Sequence, residues 1–207
     1  MPAAAPSRTT QQERSRTTQR RLLEAAVECL AEYGWSGATT TVIAERAGVS
    51  RGAQLHHYPT RAALLIAAVE HLCDRRAAEL RAEARSLNGD AARRVDRVVD
   101  LLAAAFTGPL FAAALEVWVA ARTEPELRAA LVPREARVGR EMHRLAVELL
   151  GADESRPGVR EAVQATLDLL RGLGVANLLT DDSVRRRQLL AAWKRQLAAL
   201  IGDGSAR

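Results

Sequence analysis

The chain of 207 residues has few of the features that mark a strand-rich protein. Aromatic residues make up 3% of it, and β-branched residues do not alternate with polar ones as they do in half-buried strands. Ala, Leu, Val and Arg dominate instead, and apolar residues recur at the period of an α-helix. We therefore predict an all-α protein of about nine helices, with an N-terminal three-helix domain followed by a larger helical domain.

Cysteine is scarce as well, since only Cys29 and Cys73 are present and both lie within helical patterns. Neither has a second His, Cys or carboxylate at the spacing of a metal site, so we expect two reduced thiols and no metal or cofactor. The chain also lacks a recognisable nucleophile–base pair and a glycine-rich loop that could cradle phosphates. These absences argue against an enzyme.

Long apolar segments are missing too. No apolar run approaches the roughly 20 residues that a membrane-spanning helix needs. The first residues, MPAAAPSRTTQQERSR, have no apolar core of the kind found in a signal peptide. We therefore expect a cytoplasmic protein without a membrane segment.

The basic residues are almost all arginine. The formal net charge of +5 is compatible with a polyanionic partner. Residues 1–15 are small and polar, and we expect them to be a disordered basic arm. Across residues 1–21 a single acid, Glu13, stands against five Arg: Arg8, Arg14, Arg16, Arg20 and Arg21. Two interpretations stay open, a solvated tail or an arm that touches phosphate or the minor groove of DNA.

Residues 39–58, TTTVIAERAGVSRGAQLHHY, contain two short helical patterns joined by a tight turn. Thr39 suits the N-cap of the first helix, Ser50 suits that of the second, and Gly48 suits the left-handed conformation between them. Isolated helices of this length are marginal in water. Presenting side chains to a partner would explain the second helix, and one α-helix fits the major groove of DNA.

The side chains around this turn suit the base edges and phosphates of a duplex. Arg51 is able to pair bidentately with guanine or to bind phosphate, and Gly52 and Ala53 keep the first turn of its helix thin. Thr40 and Thr41, at the start of the preceding helix, offer hydroxyls and free N–H groups to a phosphate. Three further donors follow along the chain: His56, His57 and Arg61. The adjacent histidines alone are more typical of a protein surface than of a metal site.

Residues 16–76 resemble the DNA-binding domain of the tetracycline-repressor (TetR) family of transcriptional regulators. The residues that carry the resemblance keep the family's spacing across three helices: Gly34, Thr39-Thr40, Ile43-Ala44, Ala47-Gly48-Val49-Ser50, Gly52, His57-Tyr58, Arg61 and Leu64. The resemblance implies a homodimer in which the third helix of each subunit enters successive major grooves of a near-palindromic double-stranded DNA operator. By position, it implies phosphate contacts from Thr40, His57 and Arg61. It implies base or mixed contacts from Arg51, Gly52, Ala53, Leu55 and His56.

Two positions depart from the family's usual pattern, which has an apolar residue followed by a DNA-contacting Tyr. Here Gln54 and Leu55 occupy those positions. Leu55 is suited to touch a thymine methyl group, while Gln54 could read adenine or satisfy backbone groups within the domain. Because the helical wheel turns Gln54 away from Arg51 and Leu55, we favour the structural role.

For residues 77–207 the resemblance extends only to architecture. It implies a helical core that binds an inducer and two final helices that pack against their symmetry mates. We expect these helices at about 158–179 and 183–201. The predicted dimer interface is a set of large apolar residues on them: Leu169, Leu173, Leu190, Trp193, Leu197 and Leu200.

The ligand pocket is predicted from large or adaptable side chains in the central helices and from polar groups near them. These residues are Phe106, Phe111, Trp118, Arg122, Met142 and His143, together with Glu116. Each is also compatible with an ordinary place in the core or on the surface. They favour a mostly apolar small molecule as the inducer. We expect this inducer to move the fourth helix and so change the separation of the two DNA-binding domains of the dimer.

We therefore divide the chain into an arm (1–15), a DNA-binding domain (16–76, with the helix-turn-helix at 39–58) and a ligand-binding and dimerisation domain (77–207). Helix breaks are predicted at Gly34 and at Asn88-Gly89, and Pro133 is expected to kink or end its helix. The favoured function is a ligand-responsive repressor. An activator and a helical adaptor without DNA binding are the alternatives.

Overall fold

A computed structural model of the chain describes residues 8–85 and 91–202. Within these ranges it contains nine helices and no strand, which confirms the predicted all-α fold. In chain order the helices are α1 (Arg8–Gly37), α2 (Thr40–Ala47), α3 (Arg51–His57), α4 (Arg61–Arg85), α5 (Ala91–Ala105), α6 (Pro109–Ala121), α7 (Pro125–Leu150), α8 (Val159–Ala176) and α9 (Ser183–Gly202).

The helices belong to two compact units, each built from two stretches of the chain. The first unit comprises the residues up to Leu72 together with Ala112–Leu131. The second comprises Cys73–Phe111 and the chain from Val132 onward. The first unit therefore joins α1 to α3 with most of α6, a grouping that no local sequence pattern indicates. The domain boundary at residue 76 stays a prediction.

The core of the first unit is formed by the apolar faces of α1 and α4 around the two short helices. Its buried residues recur at the helical period: Leu22, Leu23, Ala26, Val27 and Leu30 on α1, and Leu64, Leu65, Ala68, Val69 and Leu72 on α4. At Gly34 the backbone leaves the helical region, with φ 67° and ψ −177°, so the predicted break is confirmed as a kink within α1.

The start of α1 corrects the expectation of a disordered arm. Residues 8–15 are helical, since α1 begins at Arg8, while residues 1–7 lie outside the described ranges. The segment contains neither Gly nor Pro, and Arg, Gln and Glu are favourable helix formers. Because it continues a helix that is already anchored in the core, it needs no new nucleus.

The second unit is built around α5, α8 and α9. Its buried residues include Val95, Val98, Val99 and Leu102 on α5, Val163, Leu167 and Leu170 on α8, and Leu190 and Leu197 on α9. The predicted break at Asn88-Gly89 falls in residues 86–90, outside the described ranges.

Pro133 does not end its helix, which excludes one of the two predicted outcomes. Helix α7 continues through it from Pro125 to Leu150. The missing N–H and ring clash of an interior proline cost about 3 kcal/mol. Helix α7 buries Leu127 and Leu131 before this position and Leu145 and Leu149 after it, which offsets that cost.

Among the described residues, no single helix has the length and apolar composition to cross a membrane. Within the described ranges, one pair of consecutive helical segments meets both criteria when the two are taken together across a bend: Arg93–Ala105 and Pro109–Ala121.

Candidate DNA-binding site

Helices α2 and α3 are fixed by two hydroxyl caps and one glycine. Thr39 and Ser50 each accept a hydrogen bond from the backbone N–H three residues further on, at 3.3 and 3.2 Å. Gly48 ends α2 with φ 61°, and its N–H donates to the carbonyl of Glu45 at 3.0 Å. All three predicted positions are confirmed. The caps satisfy N–H groups that have no partner within their own helices.

Helix α1 contacts the chain on both sides of α3. A Cβ atom at Gly48 would lie 2.6 Å from Nη2 of Arg21, so that guanidinium occupies the space beside the turn before α3. Gln19 donates from Nε2 to the hydroxyl of Tyr58, the residue after α3, at 3.0 Å. Helix α3 is thus held at both ends by α1.

Helix α3 exposes most of the side chains predicted to meet DNA. Arg51, Leu55 and His56 are exposed, and Leu55 keeps 47% of its accessible surface. Gly52 is also exposed, with no atom within 4 Å of the place where a Cβ would lie. Because residues four apart lie on one side of a helix, Arg51 and Leu55 share a face. Of the other predicted contacts on α3, Ala53 and His57 are half-buried.

Gln54 lies on the opposite side of α3 and is 1% exposed. Its Nε2 donates to the backbone carbonyl of Tyr58 at 2.8 Å, while its Oε1 has no hydrogen-bond partner within the described part of the chain. A buried side chain has no access to a base edge, so the predicted DNA contact of Gln54 is corrected. Its position matches the structural role that the helical wheel favoured.

Two threonines, Thr40 and Thr41, begin helix α2. Thr41 is exposed and Thr40 is half-buried, and the first turn of α2 contains no acidic residue. The arrangement is able to bind an anion through hydroxyl and backbone N–H groups at the positive end of the helix dipole. Their contact with phosphate stays a prediction. The DNA contacts predicted for α3 also stay predictions for Arg51, Gly52, Ala53, Leu55, His56 and His57.

Arg61 has an environment within its own unit. Its Nε donates to the carbonyl of Ala38 at 3.0 Å, and its guanidinium carbon lies 4.4 Å from the centre of the Trp35 ring. Burial lowers the pKa of Arg61, and the charge of Glu124 partly opposes that change. These contacts join the start of α4 to the end of α1. The phosphate contact of Arg61 remains a prediction that competes with this internal role.

Trp35 lies at the centre of a polar cluster that the sequence analysis missed. Its backbone N–H donates to Oε2 of Glu116 at 2.8 Å, and its indole Nε1 donates to Oε1 of Glu124 at 2.9 Å. A Cβ atom at Gly34 would lie 3.0 Å from the same Glu116 oxygen, so glycine leaves room for the carboxylate. Glu116, which was predicted near the ligand pocket, binds the residue after the kink, and its contact with a ligand stays a prediction. No local pattern relates Trp35 to a carboxylate 81 residues away.

A second cluster joins α1 to α2. Arg46 donates from Nη2 to Oε2 of Glu32 at 2.5 Å and to the hydroxyl of Tyr33 at 2.7 Å. The hydrogen bond from Arg46 lowers the pKa of Glu32. The groups are solvent-exposed, so the pair contributes little free energy to the contact between α1 and α2.

The residues predicted to line a ligand pocket divide between the two units. In the second unit, Phe106 and Phe111 are buried and meet edge to face with ring centres 5.4 Å apart. His143 is also buried there, with Nε2 2.7 Å from Oε1 of Glu154, and Met142 beside it is half-buried. The hydrogen bond with His143 lowers the pKa of Glu154.

The other two predicted pocket residues belong to the first unit. Trp118 is half-buried on α6, and Arg122, just after that helix, is exposed. The pocket as a whole therefore stays a prediction.

The predicted dimer stripe requires a correction. Leu173, Leu190 and Leu197 are buried within the subunit itself, and Trp193 donates from Nε1 to Oγ1 of Thr166 at 2.9 Å. The spacing of three and four residues packs α9 against α5 and α8 of its own chain, since one helix face serves either kind of packing. Three of the predicted residues keep surface: Leu169 and Trp193, which are half-buried, and Leu200, which is 44% exposed.

Comparison with known proteins agrees with the geometry. Residues 22–68 match the family model described as bacterial regulatory proteins, tetR family. The HTH-type transcriptional regulator CymR of Pseudomonas putida is 34% identical over 184 residues, which cover 87% of this chain and 89% of CymR. The HTH-type transcriptional repressor AcnR of Corynebacterium diphtheriae is 35% identical over 107 residues, 52% of each chain. A solved TetR transcriptional regulator from Rhodococcus sp. RHA1 shares the fold, with a TM-score of 0.62 at 19% identity over 92% of this chain and 98% of that one.

Proposed function

Since this chain belongs to the TetR family of bacterial transcriptional regulators, which are not enzymes, we propose that it is a ligand-responsive repressor that binds a near-palindromic operator as a homodimer. One observation carries the proposal. Helix α3 exposes Arg51, Leu55 and His56 on a surface that the rest of its unit holds in place from both ends. Such a surface suits the major groove, in which a recognition helix reads base edges.

The exposed side chains differ in what they can recognise. Arg51 has the geometry to pair with the O6 and N7 of guanine, and Leu55 offers an apolar contact to a thymine methyl group. Thr40, Thr41 and His57 supply donors for phosphate, which fix the register of the helix without reading the sequence. The proposed readers are therefore Arg51 and Leu55.

The proposed dimer interface uses the outer faces of α8 and α9. On α8, four small or apolar residues recur along one side at spacings of four, three and four: Ala165, Leu169, Gly172 and Ala176. On α9, Leu189 and Leu200 are exposed. Small residues allow two helices to approach closely, and a two-fold axis would join these faces in a four-helix interface. The buried stripe of α9 is not part of it.

The proposed response to ligand acts through α6. The carboxylate of Glu116 on this helix holds the backbone of Trp35, and Arg61 at the start of α4 stacks on the same tryptophan. A ligand that shifts α6 would therefore shift the end of α1 and the start of α4 together. A ligand that binds one arrangement of the two DNA-binding domains more tightly than another would change operator affinity. We propose an apolar small molecule as the inducer and the cytoplasm as the compartment.

Genomic footprinting followed by affinity measurements at several salt concentrations tests this function. We expect protected near-palindromic sites and an affinity that falls steeply as salt rises, because bound phosphates release counterions. A helical adaptor would bind no duplex even at low salt. Deleting the protein should raise expression from the footprinted promoters, whereas a fall would identify the activator instead.

A further inference from the structure

The first part of α1 is a helix without an apolar residue. From Arg8 to Arg21 its sequence is RTTQQERSRTTQRR, in which five Arg stand against one acid and the other eight residues are Thr, Gln and Ser. Residues 11–21 are exposed except for Thr18, which is half-buried. A helix that is polar on every side buries no face against its own core. The composition of this segment is therefore not explained by packing within the first unit.

The segment begins where α1 touches the surroundings of the reading helix. Gln19 binds the hydroxyl of Tyr58 after α3, and the guanidinium of Arg21 lies beside Gly48 before it. From these two anchors the helix continues toward its N-terminus for about three turns, or roughly 15 Å at 1.5 Å per residue. An element held this close to α3 stays near any duplex that α3 enters.

We propose that residues 11–21 form a second DNA-contact element, which binds the phosphate backbone flanking each half-site. Guanidinium groups pair bidentately with phosphate, and hydroxyl and amide groups add neutral donors. A segment rich in hydrogen-bond donors and without apolar residues suits the repeating phosphate backbone of DNA better than it suits base edges. The inference rests on the orientation of α3 proposed above.

Two of the four arginines of this element lie beyond the anchors. Arg14 and Arg16 project from opposite flanks of α1, since residues two apart differ by about 200° around a helix. A minor groove is about 6 Å wide, so a helix lying over it presents one flank to each phosphate ridge. Arg14 then contacts one strand and Arg16 contacts the other.

The test compares operator duplexes that end at the half-sites with duplexes extended by about one helical turn on each side. The wild-type protein should bind the extended duplex more tightly. The double variant Arg14→Gln/Arg16→Gln should bind both duplexes equally. Its plot of log affinity against log salt should be shallower by up to about 3.6, because the homodimer loses four phosphate contacts and each removes about 0.9. Between 50 and 200 mM salt, the wild type should thus lose up to about 150-fold more affinity for the extended duplex than the double variant does.

A matched control, Arg128→Gln/Arg140→Gln, removes the same charge from two exposed positions of α7 and should behave as the wild type. Circular dichroism should show that both variants keep their helix content, because Gln is a good helix former. Suppose that Arg14→Gln/Arg16→Gln keeps the wild-type dependence of affinity on flank length and salt, while Arg51→Ala no longer binds the operator. This inference is then wrong and the proposed function stands. If the wild type binds no duplex, both fall.

Discussion

Helices α3 and α9 were both predicted to meet a partner. The residues that led to that prediction are exposed on α3 but buried on α9. In α3, Arg51 and Leu55 are exposed as predicted. In α9, Leu190 and Leu197 are buried in the subunit's own core. A cationic side chain on a short helix has no place in a core, so its chemistry indicates the surface. An apolar stripe fits a core within one subunit as well as an interface between two.

The buried and the exposed positions of α3 and α9 should therefore control different properties of the protein. On α9 the buried stripe should govern the stability of the subunit, and assembly should depend on the outer faces. On α3 the exposed residues should govern DNA binding, whereas the buried Gln54 should govern the fold of the helix-turn-helix. Each difference can be measured separately.

The largest effect is expected from Leu197→Ala. Leu197 is fully buried, and removing a buried leucine side chain leaves a cavity that costs about 2–5 kcal/mol. Urea denaturation should show this loss in the free energy of unfolding. The same substitution at Leu179, which is 94% exposed, should change it by less than about 0.5 kcal/mol. Equal losses at the two positions would show that the stripe of α9 does not face the core.

Assembly should respond to Leu169→Arg on the outer face of α8. A buried guanidinium in each half of the two-fold interface would lack a partner and repel its symmetry mate, so we expect monomers in sedimentation at concentrations where the wild type is a dimer. Val132→Arg places the same group on an exposed position of α7 and should leave the dimer intact. A dimer that persists in Leu169→Arg would exclude this face.

Within α3, Gln54→Ala and Leu55→Ala should separate stability from recognition. Losing the Gln54 side chain leaves the carbonyl of Tyr58 without its donor, and we expect a loss of about 1–3 kcal/mol in the free energy of unfolding. The base preference of the folded fraction should not change. Leu55→Ala should have the reverse profile, with unchanged stability and a weaker preference for one base. A changed base preference in Gln54→Ala would contradict the structural role.

The smallest effect is expected at His143 and Glu154, which lie outside both helices. The hydrogen bond with His143 lowers the pKa of Glu154 from its usual 4.5, so this carboxylate contributes stability above about pH 4.5 and loses it as the pH falls through the lower folded value. Glu154→Gln should therefore lower Tm slightly at pH 7 and leave it unchanged near pH 3. In a His143→Ala background the difference at pH 7 should shrink to the part that the ion pair of Glu154 with Arg160 contributes. A difference that is the same at both pH values would argue against the hydrogen bond as its cause.

The parts of the site that the sequence predicted well are local. Thr39, Gly48 and Ser50 act on the chain within three or four residues, so their types were enough to place the caps and the turn. The contacts of Trp35 with Glu116 and of Arg61 with Trp35 depend on how distant helices meet. The burial of Leu197 depends in the same way on α5 and α8. Periodicity identifies an apolar face but not the surface that covers it.

The central claim is that α3 reads DNA through Arg51. Selection of bound duplexes from a random pool, performed with the wild type and with Arg51→Ala, tests it most directly. The wild type should enrich a near-palindromic site whose half-sites lie a whole number of helical turns apart. Arg51→Ala should bind that site more weakly by about 1–3 kcal/mol and lose the preference at one base in each half. An identical enriched site for both proteins, or no enriched site for the wild type, would contradict it.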